Sequence, residues 1–173
     1  MDSELPESAI SAGADLVVHS LHKSANGLTQ TAVLWAQGDR IDPQVIERSL
    51  ICLQTTSPSA LLLASCEITL KELATDKGQS KLKKRLHEAR RISSLLKDKG
   101  IPVLTNHDPL KLIFHTAKYG ISGFVADDWF SSQGIVAELP EPGTLTFCMG
   151  FAAQQGFVKS MQKQWQEMIV KNI

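Results

Sequence analysis

The 173-residue sequence has no excess of charge of either sign. Lysine and arginine together number 18, as do aspartate and glutamate, so the formal net charge is zero. A nucleic-acid-binding protein usually carries a basic excess or stripe, so we expect no nucleic-acid partner. The one basic run, residues 81–85, is interrupted by apolar residues at helical spacing. We predict that it forms the solvent-facing side of an amphipathic helix.

Cysteines are few, and no two of them form a C-x-x-C pair. Cys52, Cys66 and Cys148 each lie among apolar residues, so we predict buried thiols in a reducing compartment and no zinc site. The sequence also lacks an apolar run of the roughly 18 residues that a membrane helix needs. Its first ten residues show neither the basic nor the apolar part of a secretory signal. We therefore expect a cytoplasmic protein with no membrane partner.

Apolar residues make up 43% of the sequence and fall into strand-like and helix-like segments. Residues 14–20 and 31–36 are short apolar runs with β-branched residues, which predict two buried strands. The segment between them is too long for a tight hairpin and too short for a helical crossover, so we predict an antiparallel pair joined by a functional loop. Asp42-Pro43 and Ser57-Pro58 are typical helix starts. The second helix is apolar nearly all round at residues 60–64, which predicts burial.

A further helix is predicted from Ser80 to Lys99. Residues 77–80 interrupt the preceding helix, and the glycine and proline that follow Lys99 end this one. After that point, strand-like runs alternate with two helices, at residues 122–133 and 154–170. The second half is thus predicted to be an α+β unit with a small sheet and helices on one side.

The segment richest in chemical groups is Ser20-Leu21-His22-Lys23-Ser24, at the end of the first predicted strand. A lysine amine that is desolvated and deprotonated can react with an aldehyde. The side chains of Ser20 and His22 can donate hydrogen bonds to an anion such as a phosphate. From the pattern alone, an ordinary lysine at the end of a strand is the commoner interpretation.

Several segments resemble the ornithine/lysine/arginine decarboxylases that depend on pyridoxal phosphate, the bacterial group of fold type I. HSLHKSANGLTQTAVLW resembles the family's lysine segment, with its Ser-x-His-Lys motif and the leucine-threonine-glutamine stretch after it. QTTSPSALLLAS resembles the Thr-Ser-Pro segment that opens a long helix. The stretch from NHDPLKLIF to ELPEPGTLTF resembles the small domain. The likeness covers roughly residues 4–160, with the motifs in order.

The resemblance implies an α/β fold in two parts. Residues 1–95 would be a remnant of a fold-type-I, aminotransferase-like large domain, and residues 96–173 a small α+β domain. Lys23 would form a Schiff base with pyridoxal phosphate, while Ser20 and His22 would hold the cofactor's phosphate. In the family, a threonine before the Ser-Pro helix reaches the phosphate of the neighbouring subunit, and Thr55 and Thr56 both match that place.

The activity that the resemblance implies is decarboxylation of lysine, arginine or ornithine to an amine of the polyamine pathway. Members of the family also have an acidic residue that pairs with the pyridinium nitrogen, upstream of the matched region. We therefore expect this chain to be part of a larger, homo-oligomeric enzyme and inactive alone. The alternatives are a non-catalytic assembly module, half of a split enzyme that docks onto a complementary N-terminal chain, and a truncated or misannotated reading frame.

Overall fold

A computed structural model describes residues 5–152 and 155–172. The chain divides into two compact units, an N-terminal unit (Met1–Ser80) and a C-terminal unit (Lys81–Ile173). The elements, in chain order, are β1 (Leu16–Ser20), α1 (Leu21–Ser24), β2 (Ala32–Ala36), α2 (Pro43–Leu53), α3 (Ala60–Ala74), α4 (Asp76–Asp98), β3 (Val103–Leu104), β4 (Lys111–Phe114), a 3₁₀ turn (Thr116–Tyr119), α5 (Gly123–Ser132), β5 (Leu139–Pro140), β6 (Leu145–Cys148) and α6 (Phe157–Asn172). The predicted domain boundary at residue 95 lies within α4, and it stays a prediction.

The two strands of the N-terminal unit pair as predicted but are not buried. They run antiparallel, in a register from Leu16 opposite Ala36 to Ser20 opposite Ala32. All residues of the pair are half-buried or exposed, and Val18 is 68% exposed. The predicted burial is therefore wrong, because a two-stranded sheet needs a covering layer to bury its faces.

Helix α2 starts as its sequence predicts. The Asp42 side chain accepts a hydrogen bond from the Gln44 N–H at 2.9 Å, and Pro43 takes the first helical position. The next helix begins later than predicted, at Ala60 with Ser59 as its N-cap. The Ser57 N–H instead donates to the Thr55 hydroxyl at 3.2 Å, which makes a local turn before the helix.

Helix α3 is largely exposed, against the prediction of burial. The side chains of Leu61, Leu63 and Ile68 are 68%, 58% and 65% exposed, and Thr69 is the one buried residue of the helix. An apolar sequence becomes buried only where a second surface covers it. The described part of the N-terminal unit offers α3 too little such surface.

The predicted break at residues 77–80 lies instead at Thr75. The Thr75 hydroxyl accepts from the Gly78 N–H at 3.0 Å, and its carbonyl accepts from the Gln79 N–H at 2.9 Å. Thr75 therefore caps the start of α4. A side chain at Gly78 would collide with the Glu72 carbonyl, so this glycine permits a close approach between the two helices rather than ending one of them.

The C-terminal unit is an α+β structure, as predicted. Its sheet is antiparallel in the order β3-β4-β6-β5, with Lys111 opposite Cys148 and Phe114 opposite Leu145 in the central pair. Helix α5 packs against β5, β6 and α6. Ser122 caps α5 by accepting from the Phe124 N–H at 3.2 Å.

A single apolar core fills this unit. Its centre is Phe114, whose ring centroid lies 5.0 Å from that of Phe147 and 5.6 Å from that of Trp165. The fully or almost fully buried members are Ala89, Ile92, Leu96, Ile101, Val103, Leu112, Phe114, Ile121, Ala126, Phe130, Leu145, Phe147, Met149, Met161, Trp165 and Met168.

Two further predictions about burial are wrong. Arg85, in the basic run, is 5% exposed rather than solvated, although Lys83 and Lys84 are exposed. The thiols are not buried: Cys52 and Cys148 are exposed, Cys66 is half-buried, and all three are free. Cys52 lies on α2, in the unit that lacks covering surface, and Cys148 is the last residue of β6.

Among the residues that the structure describes, no helix has both the length and the apolar character to cross a membrane. In the same residues, no cluster of three or more His, Cys, Asp or Glu side chains could hold a metal ion.

Candidate functional site

The structure places Ser20, His22 and Lys23 together at the end of β1. We call residues 20–31 the lysine turn. Ser20 is the last residue of the strand, and the chain then enters α1, a single helical turn that carries His22 and Lys23. Lys23 is exposed, while Ser20 and His22 are half-buried. The amine of Lys23 is therefore accessible, one residue after His22 and three after Ser20.

The lysine turn is folded around the side chain of Leu21, which is 4% exposed. The Leu21 carbonyl accepts hydrogen bonds from the N–H groups of Ala25, at 2.9 Å, and Gly27, at 3.2 Å. A Cβ at Gly27 would overlap the hydroxyl of Thr31, so only glycine allows this close approach. The backbone around Lys23 is thus fixed by hydrogen bonds and by close packing.

Thr31 closes the lysine turn and orients His22. It is 2% exposed, and its hydroxyl and N–H both donate to the Leu28 carbonyl, at 2.7 and 3.1 Å. The Thr31 carbonyl accepts from the His22 backbone N–H at 3.4 Å and lies 2.8 Å from His22 Nδ1. The imidazole is therefore held at one of its two nitrogens.

Helix α3 supports the lysine turn from the other side. The Leu28 N–H donates to the Ser65 hydroxyl at 2.9 Å. The buried residues in the described part of the N-terminal unit are Leu21, Ala25, Thr31, Thr69 and Gly78. Three of these five belong to the lysine turn, which is consequently the best-packed part of its unit.

The two candidate threonines lie elsewhere in the N-terminal unit. Thr55 and Thr56 follow α2, are exposed, and line a shallow groove of about 570 Å³ with α2 side chains such as Ile46 and Leu50. The described residues of that groove include none from the lysine turn. A phosphate contact from Thr55 or Thr56 to a neighbouring subunit stays a prediction, and so does the choice between them.

The sequence did not reveal a cavity of about 640 Å³ in the C-terminal unit. Arg85, Cys148 and Ser160 are among the polar residues of a lining that is otherwise largely apolar. Arg85 Nε donates to the Gly150 carbonyl at 2.6 Å, and Nη1 donates to Glu88 at 2.9 Å. The sequence did indicate that Arg85 lies on the buried side of its helix. Arg85 precedes the buried Ala89 by four residues, so the two side chains share one helix face.

Cys148, in the lining of this cavity, is less nucleophilic than an unperturbed cysteine. Partial desolvation raises the pKa of its thiol, and the negative charge of Glu138 adds to the effect. The thiolate is the reactive form of cysteine, so a raised pKa lowers reactivity. The lysine turn is the stronger candidate for a reactive site.

The lysine turn carries the types of side chain that would hold a carbonyl compound with an anionic group. A primary amine condenses with an aldehyde, and the neighbouring imidazole and hydroxyl can hold an anion. Pyridoxal phosphate has both an aldehyde and a phosphate. The exposed Lys23 with Ser20 and His22 beside it fits this cofactor.

Comparison with known proteins finds relatives that share one name, arginine decarboxylase. The arginine decarboxylase of Bacillus anthracis is 31% identical over 141 residues, which are 75% of this chain and 28% of that protein. The arginine decarboxylase of Bacillus subtilis is 33% identical over 152 residues, or 80% of this chain and 30% of that protein. The chain thus spans less than a third of the length of these relatives.

Solved structures agree on the fold. The constitutive lysine decarboxylase of E. coli superposes with a TM-score of 0.74 at 16% identity, over 88% of this chain and 28% of that one. A NifS-like protein gives a TM-score of 0.65 at 17% identity, over 95% of this chain and 49% of that one. These likenesses confirm the predicted α/β, aminotransferase-like fold.

The family itself follows from the sequence match. The model of the "Orn/Lys/Arg decarboxylase, major domain" matches residues 2–106, which include β1, the lysine turn, and helices α2 to α4. The resemblance drawn from the motifs is therefore confirmed, and this chain belongs to the Orn/Lys/Arg decarboxylase family.

Proposed function

We propose that this chain supplies the lysine-bearing part of a decarboxylase of basic amino acids that depends on pyridoxal phosphate. The reaction releases the α-carboxylate of lysine, arginine or ornithine as carbon dioxide and leaves the corresponding amine. Membership of the decarboxylase family supports this function, and the names of the arginine decarboxylase relatives agree with it. The observation that carries the proposal is the exposed Lys23 in an otherwise tightly built turn.

Each residue of the site has a role in this proposal. Lys23 holds the cofactor through its amine, Ser20 and His22 bind the phosphate, and Thr55 or Thr56 reaches the phosphate of a neighbouring subunit. When bound, the cofactor supplies an electron sink for the bond to the departing carboxylate. Thr31 keeps the His22 ring in place through its carbonyl, and Gly27 lets the chain turn closely enough to do so.

The whole reaction needs more than these residues. An acidic partner for the pyridinium nitrogen strengthens the electron sink, and the matched motifs of this sequence do not supply one. We expect the 173 residues by themselves to turn over no amino acid. In this proposal the working enzyme is a cytoplasmic homo-oligomer with the rest of the family's major domain present.

Absorbance spectroscopy with added pyridoxal phosphate tests the proposed role of Lys23. The 173-residue chain should develop a visible band from cofactor attached to a lysine, and Lys23→Ala should abolish it. Lys77→Ala, which removes another exposed lysine of the same unit, should leave the band intact. A band that survives in Lys23→Ala contradicts the assignment, and turnover of a basic amino acid by the chain alone contradicts the expected inactivity.

A second candidate function is assembly rather than catalysis. The exposed apolar side chains of α2 and α3, such as Ile51 at 70% and Leu61 at 68%, favour docking onto a complementary chain. Size-exclusion chromatography of the chain, alone and mixed with the preceding part of a relative's major domain, tests this function. A stable complex without decarboxylase activity supports an assembly module, whereas two separate peaks contradict docking.

A further inference from the structure

We propose that Ser65 of α3 is a positioning residue for the cofactor site. It holds the β-turn of residues 28–31, which contains a strained residue, and through that turn it fixes the carbonyl that contacts His22. The inference deepens the proposed function and rests on it for the identity of the ligand. Its basis is a line of hydrogen bonds that runs from the Ser65 hydroxyl, through the 28–31 turn, to the His22 ring.

The strained residue of the 28–31 turn is Gln30. The Thr31 N–H closes the turn by donating to the Leu28 carbonyl at 3.1 Å. Gln30 occupies the third position of the turn with a φ of +78°. A type II turn requires a positive φ at this position, and glycine or asparagine usually supplies it. A residue with a longer side chain is disfavoured in this left-handed region, so glutamine opposes the conformation that the turn adopts.

Contacts around Gln30 hold the turn in spite of this strain. Inside the turn, the hydroxyl of the buried Thr31 adds a second bond to the Leu28 carbonyl, at 2.7 Å. From outside, the Ser65 hydroxyl accepts a hydrogen bond from the Leu28 N–H at 2.9 Å, across 37 positions of sequence. A strained backbone persists only where the surrounding structure over-determines it. Ser65 contributes to this from a separate element, the helix α3.

The 28–31 turn passes its position on to the candidate site. The Thr31 carbonyl lies 2.8 Å from His22 Nδ1 and accepts the His22 backbone N–H at 3.4 Å. Thr31 directly follows the strained Gln30, so a relaxation of φ at Gln30 would redirect the Thr31 carbonyl. His22 directly precedes Lys23 on α1. Ser65 therefore acts on the ligand-binding residues through hydrogen bonds, without a contact of its own to the ligand.

Removal of the Ser65 hydroxyl is the first test. The dissociation constant of pyridoxal phosphate is measured for the 173-residue chain from the visible band. Ser65→Ala should raise it about fivefold, the effect typical of the loss of one neutral hydrogen bond. Ser49→Ala is the matched control, because Ser49 lies on a helix of the same unit and its hydroxyl donates to the Val45 carbonyl of that helix. An unchanged constant in Ser65→Ala overturns the inference.

A double-mutant cycle with Gln30→Gly separates positioning from simple packing. Glycine adopts a positive φ without strain, so the turn then no longer needs the contact from α3. The effect of Ser65→Ala on the dissociation constant should consequently be much smaller in the Gln30→Gly background than in the wild type. Each effect is measured within one background, so any loss caused by the missing glutamine side chain cancels. Equal effects in the two backgrounds contradict the proposed role of Ser65.

Amide hydrogen exchange, followed by NMR without any ligand, decides the inference separately from the proposed function. The Thr31 amide should exchange faster in Ser65→Ala than in the wild type, and Gln30→Gly should slow it again. The hydrogen-bonded amides of the β1-β2 pair should keep their rates. Equal acceleration throughout the N-terminal unit means a general loss of stability and overturns the inference. The absence of a visible band in the wild type contradicts the proposed role of Lys23, and the exchange rates still decide whether Ser65 holds the turn.

Discussion

The two units of the chain differ most in the extent to which their apolar side chains are buried. The C-terminal unit buries leucine, phenylalanine, methionine and tryptophan in one continuous core around Phe114. The described part of the N-terminal unit buries little beyond the lysine turn and leaves Leu61 and Leu63 of α3 exposed. The residues of the candidate site nevertheless lie in the N-terminal unit. The site is thus carried by the unit that has less core of its own.

This difference has an energetic meaning. Burial of a leucine side chain contributes about 1.5–3 kcal/mol to folding, and exposure forgoes that contribution. Leu61, Leu63, Ile51 and Leu53 are all more than half exposed. Apolar burial therefore contributes less to the stability of the N-terminal unit than to that of the C-terminal unit.

Matched leucine substitutions on two helices give the largest expected contrast. Leu96 on α4 is fully buried in the C-terminal unit, and Leu61 on α3 is 68% exposed. Leu96→Ala should lower the free energy of unfolding by about 2–5 kcal/mol, because it leaves a cavity in the core. Leu61→Ala should change it by less than about 0.5 kcal/mol. Urea denaturation followed by circular dichroism measures both values.

Helix propensity is the same in both substitutions, so it cancels in the comparison. Equal losses in the two variants would contradict the difference in packing between the units. If the complementary part of the major domain is added and covers α3, Leu61→Ala should then weaken the complex.

The two exposed cysteines give a smaller contrast. Because partial desolvation and the charge of Glu138 raise the pKa of the Cys148 thiol, Cys148 has less thiolate than an unperturbed cysteine at about pH 8. We expect iodoacetamide to alkylate Cys148 more slowly than Cys52, the exposed cysteine of the N-terminal unit. Mass spectrometry of the digested protein follows both sites.

The sign of the pH dependence makes this prediction specific. A raised pKa means that the Cys148 thiolate forms at a higher pH than the thiolate of an unperturbed cysteine, so the difference between the two alkylation rates should become smaller as pH rises. The variant Glu138→Gln should speed up Cys148 and leave Cys52 unchanged. A rate ratio that does not change with pH would contradict the role of the thiol pKa.

The sequence predicted local structure better than it predicted burial. The start of α2 at Asp42-Pro43, the antiparallel β1-β2 pair and the α+β unit after Pro102 follow from capping, spacing and periodicity, which depend on neighbours in sequence. The burial of α3 and of Cys52 depends on surfaces distant in sequence, and there the predictions are wrong. Arg85 was predicted to be exposed but is buried. Its hydrogen bond to Gly150 joins residues 65 positions apart, so its neighbours in sequence could not reveal that bond.

The candidate site was accessible from the sequence only in part. Ser20, His22 and Lys23 lie within four consecutive residues, so they could be named from the motif. The supporting contacts of Thr31, Gly27 and Ser65 could not be named, because they arise from the path of the chain after Lys23. The same holds for the hydrogen bond of His22 Nδ1, whose partner is the carbonyl of Thr31, nine residues along the chain.

Borohydride reduction tests most directly whether the N-terminal unit carries the cofactor. The chain is incubated with a limiting amount of pyridoxal phosphate, reduced, digested and mapped by mass spectrometry. The cofactor should be fixed on Lys23, and the exposed lysines of the C-terminal unit, such as Lys83 and Lys84, should remain unlabelled. Label distributed among those surface lysines, with none preferentially on Lys23, would contradict the assignment of the lysine turn as the cofactor site.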